Sequence, residues 1–483
     1  MYPFKDLQPE GIWKYFNEIC QVPRPSKQEE RIIAYLMNFA EKNHLEASQD
    51  KCGNVLIKKK ASPGYQNRQV VVLQSHIDMV CEKNNETPHD FTKDAIQPII
   101  DGEWVKAKGT TLGADDGIGM AAQLAILASD NIKHGPLECL FTVDEETGLT
   151  GAFGLEKNFI SGSTLINLDS EDEGEIFIGC SGGIDSIGKF SPQYQVTPSG
   201  SFAFKVVVSG LTGGHSGDDI NKGLGNAIKI LTRYIWYATK EYQYRLSDFE
   251  GGNLRNAIAR EAYAIGVVPA KYKEQVRVLL NLFISDIEGE LKNIEPKLNL
   301  HLESTELPEH VFTEEFHLKF VNALYALPHG VMGMSREIQG LVETSTNLAS
   351  VKNNNGDILI STSQRSSIES ARDNIASMVE SIFTLAGAKT MHSDGYPGWA
   401  PNTQSDILKL SVASYKKLFK TEPKVKAIHA GLECGLFLQK YPSLDMISIG
   451  PTIKGAHSPD ERLHIPSVTK FWNHLLDILA QNP

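Results

Sequence analysis

The sequence predicts an α/β fold: a mostly parallel sheet covered by helices, interrupted by an inserted α+β domain. Three observations carry this. Helix-like and strand-like segments alternate over the first 170 or so residues and again after residue 398. Short apolar runs without polar alternation, at residues 70–73, 137–143 and 164–168, read as strands buried on both faces. Between them and the C-terminal stretch, residues 187–397 have a different rhythm of longer strands and helices. At about 150 residues per domain, a chain of 483 has room for about two or three domains.

In chain order, Ser26-Lys27-Gln28-Glu29 has the Ser-x-x-Glu form of a capping box before RIIAYLMNFAEKNH, whose apolar residues recur at helical spacing. CGNVLIKKK reads as a strand and SPGYQNRQ as a turn, followed by the buried strand at 70–73. The loop GTTLGADDG leads into a helix, GIGMAAQLAILA, and LECLFTV and TLINLD supply two further buried strands. The Gly-, Ser- and Pro-rich SGGIDSIGKFSPQYQVTPSGS marks the exit from the domain. The insertion then runs through FAFKVVVSG, GNAIKILTRYIWYATKEY, YAIGVVPA, YKEQVRVLLNLFISDIEGELK and on to SIESARDNIASMVESIFTLAGA. After the YPGW turn, SDILKLSVASYKKLFK, KVKAIHAGLECGLF, DMISIGPT and SVTKFWNHLLDILA resume the first rhythm. The expected domains are therefore 1–186 with 398–483, and 187–397.

Composition narrows the function. With 41% hydrophobic and 22% charged residues the chain is neither disordered nor fibrous as a whole. A net charge of −12 disfavours nucleic acid and anionic membrane surfaces as partners, and no apolar run reaches the roughly 18 residues of a membrane span. The N-terminus MYPFKDLQPEGIWKYF lacks the basic start and apolar stretch of a secretory signal. Six cysteines without CxxC spacing suggest free thiols in a reducing compartment. A cytoplasmic protein is expected.

Imidazoles and carboxylates stand directly after the buried strands. Residues 70–73 run into Gln74-Ser75-His76-Ile77-Asp78, residues 137–143 into Asp144-Glu145-Glu146, and residues 164–168 into Asp169-Ser170-Glu171. Met446-Ile447-Ser448-Ile449 precedes GPTIKGAHSPD, which carries His457. Ligands in open α/β sheets sit at the carboxyl ends of the strands, so these groups converge if the strands are neighbours. Clustered carboxylates repel one another unless a cation compensates them, and mixed His and Asp/Glu donors suit zinc or a similar metal. The donor supply fits two metals, with Asp115 of LGADDGIG as a candidate bridge. The dull readings are a helix cap for Asp115-Asp116 and solvated or core positions for His44, His134, His301, His317, His392 and His474.

The order HIDMV, GTTLGADDGIGMA, TVDEETG, NLDSEDEGE, GLTGGHSGDDI, GNLRNAI, HAGLECGLF and GPTIKGAHSPDE resembles the M20 metallopeptidases. More narrowly it resembles their aminoacyl-histidine dipeptidase branch, the peptidase D or bacterial carnosinase type. The resemblance implies a catalytic domain interrupted by a lid and dimerisation domain, and a homodimer. It makes His76 and Asp169 ligands of one zinc and Glu146 and His457 ligands of the other, with Asp115 bridging, and it places a cis peptide at Asp115–Asp116. Two Zn2+ per subunit are implied, and Co2+ or Mn2+ would accept the same donors. Asp78 is implied to orient His76, Glu145 to be the general base acting on a water whose pKa the metal lowers, and His215 to stabilise the oxyanion, reaching it from the partner subunit in dimeric members. Arg365 is the implied anchor for a substrate carboxylate, with Asn253 and Arg255 beside it and Glu433 lining the pocket. The expected activity is hydrolysis of dipeptides, Xaa-His dipeptides above all. An N-acyl amino acid deacylase or aminopeptidase of the same family is the alternative, and a non-catalytic metal-stabilised binding protein the remote one.

Overall fold

A computed structural model describes residues 3–482. They divide into two compact units: the chain up to Cys180 with Trp399–Ala427 and Leu432 onward, and Ser181–Gly398 with Ile428–Gly431. The expected break at residue 186 falls inside the strand Gly182–Phe190, which belongs to the second unit, so the crossover lies six residues earlier. The glycines there serve packing as well as turning: a Cβ at Gly188 would lie 2.5 Å from the Phe383 ring.

The first unit is built on an eight-stranded sheet. Its strands are β1 (Glu46–Gln49), β2 (Val55–Lys59), β3 (Val71–His76), β4 (Leu137–Thr142), β5 (Thr164–Asn167), β6 (Glu175–Cys180), β7 (Lys424–Ile428) and β8 (Asp445–Ser448). Their order across the sheet is β1-β2-β4-β3-β5-β8-β6-β7. The parallel ladders are the central ones, joining β4, β3, β5 and β8. Antiparallel ladders flank them on both sides. The four parallel strands are those whose carboxyl ends carry the chemistry-bearing residues, and parallel neighbours deliver those ends to one edge.

Helices cover this sheet because their apolar residues leave them no other stable place. In α3 (Ala114–Ala128), Ile118, Met120, Leu124 and Ile126 are all fully buried, which fits a helix apolar on most of its circumference. It packs on β3 and on α1 (Glu10–Cys20), whose Trp13 and Phe16 are likewise buried. The capping box does not form at α2 (Glu30–Lys42), where no side chain caps the first turn. Ser26 Oγ instead donates to Asp78 Oδ2 at 2.7 Å, and Glu29 Oε1 accepts from the N–H groups of Lys27 and Asp144. Tertiary partners have won over the local motif.

The second unit is α+β. Its nine-stranded antiparallel sheet runs Asn299–Ser304, Ser201–Ser209, Ala262–Pro269, Arg245–Gly251, Val342–Asn354, Asp357–Ser366, Gly182–Phe190 and Lys389–His392, with Gly330–Met334 also on Val342–Asn354. The helices Ala227–Tyr242, Lys273–Leu291, Glu314–Ala326 and Glu369–Leu385 contribute to its core, in which Phe320 meets Phe190 edge-on at 5.4 Å and Phe312 at 5.9 Å. Of the histidines read as structural, His134, His317 and His474 are buried and hydrogen-bonded. No helix of the described residues is long and apolar enough to cross a membrane, and all six cysteines are free.

Candidate metal centre

His76 is the last residue of β3, and its neighbours in the ladder explain why it sits there. Strand β3 is buried along its whole length, and it stays a strand through Gln74 and Ser75 because their side chains find partners. Gln74 Nε2 donates to Glu433 Oε2 at 2.6 Å, Asn167 Nδ2 donates to Gln74 Oε1 at 2.6 Å, and the Ser448 hydroxyl donates to Asn167 Oδ1. Gln74 is paired in register with Asn167, and Asn167 with Ser448. A hydrogen-bonded polar layer thus crosses three central strands just below the ligand positions.

Above that layer the expected side chains converge. His76 Nε2 lies 3.0 Å from Asp115 Oδ1 and 3.4 Å from Asp169 Oδ1. His457 Nε2 lies 3.1 Å from both Asp115 Oδ2 and Glu146 Oε2. Two triads result, His76/Asp115/Asp169 and Asp115/Glu146/His457, each with its donor atoms within 4.8 Å of one another, and Asp115 gives one oxygen to each. The Asp115–Asp116 peptide is cis, in line with the expectation from the sequence.

The paired aspartates divide the work. Asp116 is buried and its Oδ1 accepts from the Gly119 N–H at 3.1 Å, capping the regular part of α3. A Cβ at Gly119 would meet that oxygen at 2.3 Å, so the glycine belongs to the cap. Asp115 is left to face the two imidazoles.

Asp78 holds the centre together from behind. Its Oδ1 faces His76 Nδ1 at 3.4 Å and accepts from the Glu145 N–H at 3.0 Å, while Oδ2 accepts from Ser26 and from the Glu146 N–H at 3.2 Å. Burial pushes this carboxyl up, but hydrogen bonds to His76 and Ser26 outweigh it and keep Asp78 below the usual carboxylate range. Asp78→Asn would turn an amide N–H2 toward groups that are themselves donors. A loss of about 10–100-fold in metal affinity is expected, the scale seen when a ligand's outer partner is removed, and competitive chelator titration checks it.

The electrostatics call for cations. Burial drives Asp169 up to about 7 despite its contacts with His76, and burial with the charges of Asp115 and Asp169 drives Glu171 to about 8. Hydrogen bonds to Asp115 and Glu146 raise His457 to about 11. Two imidazole nitrogens and three carboxylates are a donor set that divalent cations of the zinc type fit. Glu145 lies beside the ligands, its carboxylate within 4.8 Å of His76 and Glu146 donor atoms. Burial, then the nearby Asp169, Glu146 and Glu433 carboxylates, push it well above the ordinary range, with His76 opposing.

Other expected residues stand differently. Glu433 is fully buried, and its Oε2 accepts from Gln74 and Thr142, beneath the centre. In the second unit, Arg365 is 8% exposed; its Nη1 donates to the Tyr396 hydroxyl at 3.0 Å, and its buried Nε has no partner among the described residues. Asn253 and Arg255 are exposed, and Arg255 pairs with Asp185 at 2.9 Å. His215 Nδ1 accepts from the N–H groups of Gly217 and Asp218 and lies 3.3 Å from Asp218 Oδ2. His429, the first residue of HAGLECGLF and not singled out in the sequence, is a buried imidazole held between the Ser181 and Ser345 hydroxyls at 2.7 Å each, and burial lowers its pKa to about 4.

Comparison with known proteins agrees with this geometry. The chain is 46% identical over its full length, and that of the relative, to a protein of Escherichia coli K12 named cytosol non-specific dipeptidase. It superposes on an aminoacylhistidine dipeptidase from Vibrio alginolyticus with a TM-score of 0.93 and 45% identity, covering 99% of this chain and 98% of that one. A tripeptidase from Staphylococcus aureus shares the fold at a TM-score of 0.57 and 16% identity, with 98% of each chain covered. The model of peptidase family M20/M25/M40 matches residues 72–481, a span that opens in β3 and takes in every ligand position, and the chain belongs to that family.

Proposed function

We propose that the protein is a dinuclear metallopeptidase, with zinc as its metal, that hydrolyses dipeptides and prefers Xaa-His dipeptides. The observation that carries this is the pair of triads sharing Asp115, with the Glu145 carboxylate beside them and outside both. The names of the Escherichia coli and Vibrio relatives support a dipeptide substrate and bracket its breadth, one non-specific and one aminoacyl-histidine.

His76, Asp115 and Asp169 would hold one cation, and Asp115, Glu146 and His457 the other. When bound, the pair supplies Lewis acidity, lowering the pKa of water and polarising the scissile carbonyl. Glu145 takes the proton of the attacking water and passes it to the departing amine, a role that needs a carboxylate near the ligands but not consumed by them. Arg365, buried with an uncommitted Nε, anchors the C-terminal carboxylate that distinguishes a dipeptide from a longer chain. Asn253 and Arg255 assist it. His215 donates to the oxyanion.

The test is a substrate panel with metal-stripped and zinc-restored protein: Xaa-His dipeptides, other dipeptides, a tripeptide and N-acetyl amino acids. Histidine release that depends on added metal is expected. Faster cleavage of N-acetyl amino acids would instead assign the chain to deacylation.

The second unit serves as lid and dimerisation domain, the protein works as a cytoplasmic homodimer, and each active site takes His215 from the partner. Mixing His215→Ala with Glu145→Ala chains is then expected to restore about a quarter of the wild-type rate at statistical exchange. Absence of rescue after demonstrated exchange rules this out.

A further inference from the structure

Glu461 is a buried carboxylate, 2% exposed, and every hydrogen bond to its side-chain oxygens comes from backbone N–H groups. Its Oε2 accepts from Leu112 at 2.7 Å and Gly113 at 3.0 Å, and its Oε1 from Ala114 at 2.7 Å and Asp115 at 3.4 Å. Four consecutive amides aimed at one point form an anion-binding nest. Gly113, at φ +67°, supplies the left-handed residue that such a nest needs. The anion filling it comes from four residues beyond His457. The turn at 455–461 is closed by Ser458, whose hydroxyl donates to the Gly455 carbonyl and whose own carbonyl accepts from the Glu461 N–H. One carboxylate therefore joins the loop that presents Asp115 to the turn that presents His457.

Arg24 makes the complementary tie. It is 3% exposed; its Nη2 donates to the Gly113 carbonyl and its Nη1 to the carbonyls of Ile77 and Asp78, immediately past His76. A Cβ at Gly113 or Gly117 would lie 2.6 or 2.8 Å from that guanidinium, so both glycines make room for it. The Asp115 loop is thus held by its amides toward His457 and by a carbonyl toward His76.

We propose that Glu461 and Arg24 are positioning residues for the cation pair: Glu461 sets the spacing of Asp115 from His457, and Arg24 the spacing of Asp115 from His76. The proposal rests on the dinuclear reading above. Neither side chain is a ligand in either triad, and each ties the shared aspartate to a different one. In Glu461→Gln an amide replaces one acceptor oxygen and turns its own donors toward N–H groups, leaving part of the nest unpaired. Arg24→Lys keeps the charge but loses the fork that spans two loops.

The test is site-resolved zinc titration of stripped protein. In a His457→Ala chain only the His76/Asp115/Asp169 site remains, and in a His76→Ala chain only Asp115/Glu146/His457. Glu461→Gln is expected to weaken zinc by about 10-fold or more in the His76→Ala chain and by less than about 3-fold in the His457→Ala chain, with Arg24→Lys giving the reverse. Glu461→Asp, which keeps the charge with shorter reach, is carried in parallel and should weaken the same site, so misfolding of the glutamine variant does not decide the matter. A merely structural role would lower the melting temperature and weaken both sites alike; equal weakening, or none, overturns the proposal. Wild-type protein that takes up fewer than two zinc equivalents overturns the dinuclear reading itself, and the ties with it.

Discussion

Glu145→Gln is expected to keep its full complement of metal and to lose about 10³-fold in kcat on a dipeptide, within the 10²–10⁴-fold range of a positioned general base and equal to about 4 kcal/mol of barrier. Glutamine has the same size and reach, so packing is preserved. What disappears is the ability to accept a proton. Residue 145 is placed by its backbone, through the N–H bond to Asp78, and not by its side chain, so the turn that also carries Glu146 keeps its shape. Its carboxylate belongs to neither shared-aspartate triad, which is why metal content should hold. Elemental analysis of the purified variant and steady-state kinetics with a Xaa-His dipeptide provide the check. Near-wild-type turnover would remove Glu145 from the chemistry, whereas loss of a metal equivalent would make it a ligand.

Much of this centre was legible in the sequence because parallel sheets concentrate their chemistry. Once residues 70–73, 137–143 and 164–168 were read as doubly buried strands, the groups at their carboxyl ends had to meet if the strands were neighbours, and they are. The resemblance then sorted the ligands into two sets that match the triads. Residues whose partners are remote or are backbone amides stayed hidden. Arg24 carries no local pattern, and Glu461, though it ends the GPTIKGAHSPDE motif, shows nothing of its role there, since the meaning of each depends on loops 89 and 346 positions away in sequence. Gln74, Thr142, Asn167 and Ser448 gave no sign in the sequence that they form a buried hydrogen-bonded layer inside the sheet. Ser26 misled in the opposite direction: its motif specifies a helix cap, but an aspartate far along the chain offered the hydroxyl a better acceptor. The Gly-rich start of SGGIDSIGKFSPQYQVTPSGS marked the exit from the first domain, but Gly182–Phe190 is itself a strand of the second unit, in which small residues let a helix and a neighbouring segment approach closely.

Asp115→Ala is expected to abolish tight binding of both metals, where every other single ligand change should cost only one. The reason is topological. Asp169 belongs to one triad alone, and Glu146 and His457 belong together in the other, but Asp115 contributes Oδ1 toward His76 and Oδ2 toward His457. Burial disfavours its charge, yet the hydrogen bonds to His457 and His76 outweigh this and hold its carboxyl well below the usual range. Alanine leaves each site with two ligands and removes the negative charge between them. Binding that stabilises the native state raises the melting temperature by mass action, about 2.7 kcal/mol at a hundred times Kd. Wild type should therefore melt higher with zinc than without it, Asp169→Ala and His457→Ala should keep part of that rise, and Asp115→Ala should show none while its turnover falls to background. Thermal melts across a zinc series, paired with zinc stoichiometry from chelator competition, read both quantities on the same samples. One tight equivalent surviving in Asp115→Ala would mean that the aspartate serves a single cation, and the shared-ligand arrangement would have to be given up.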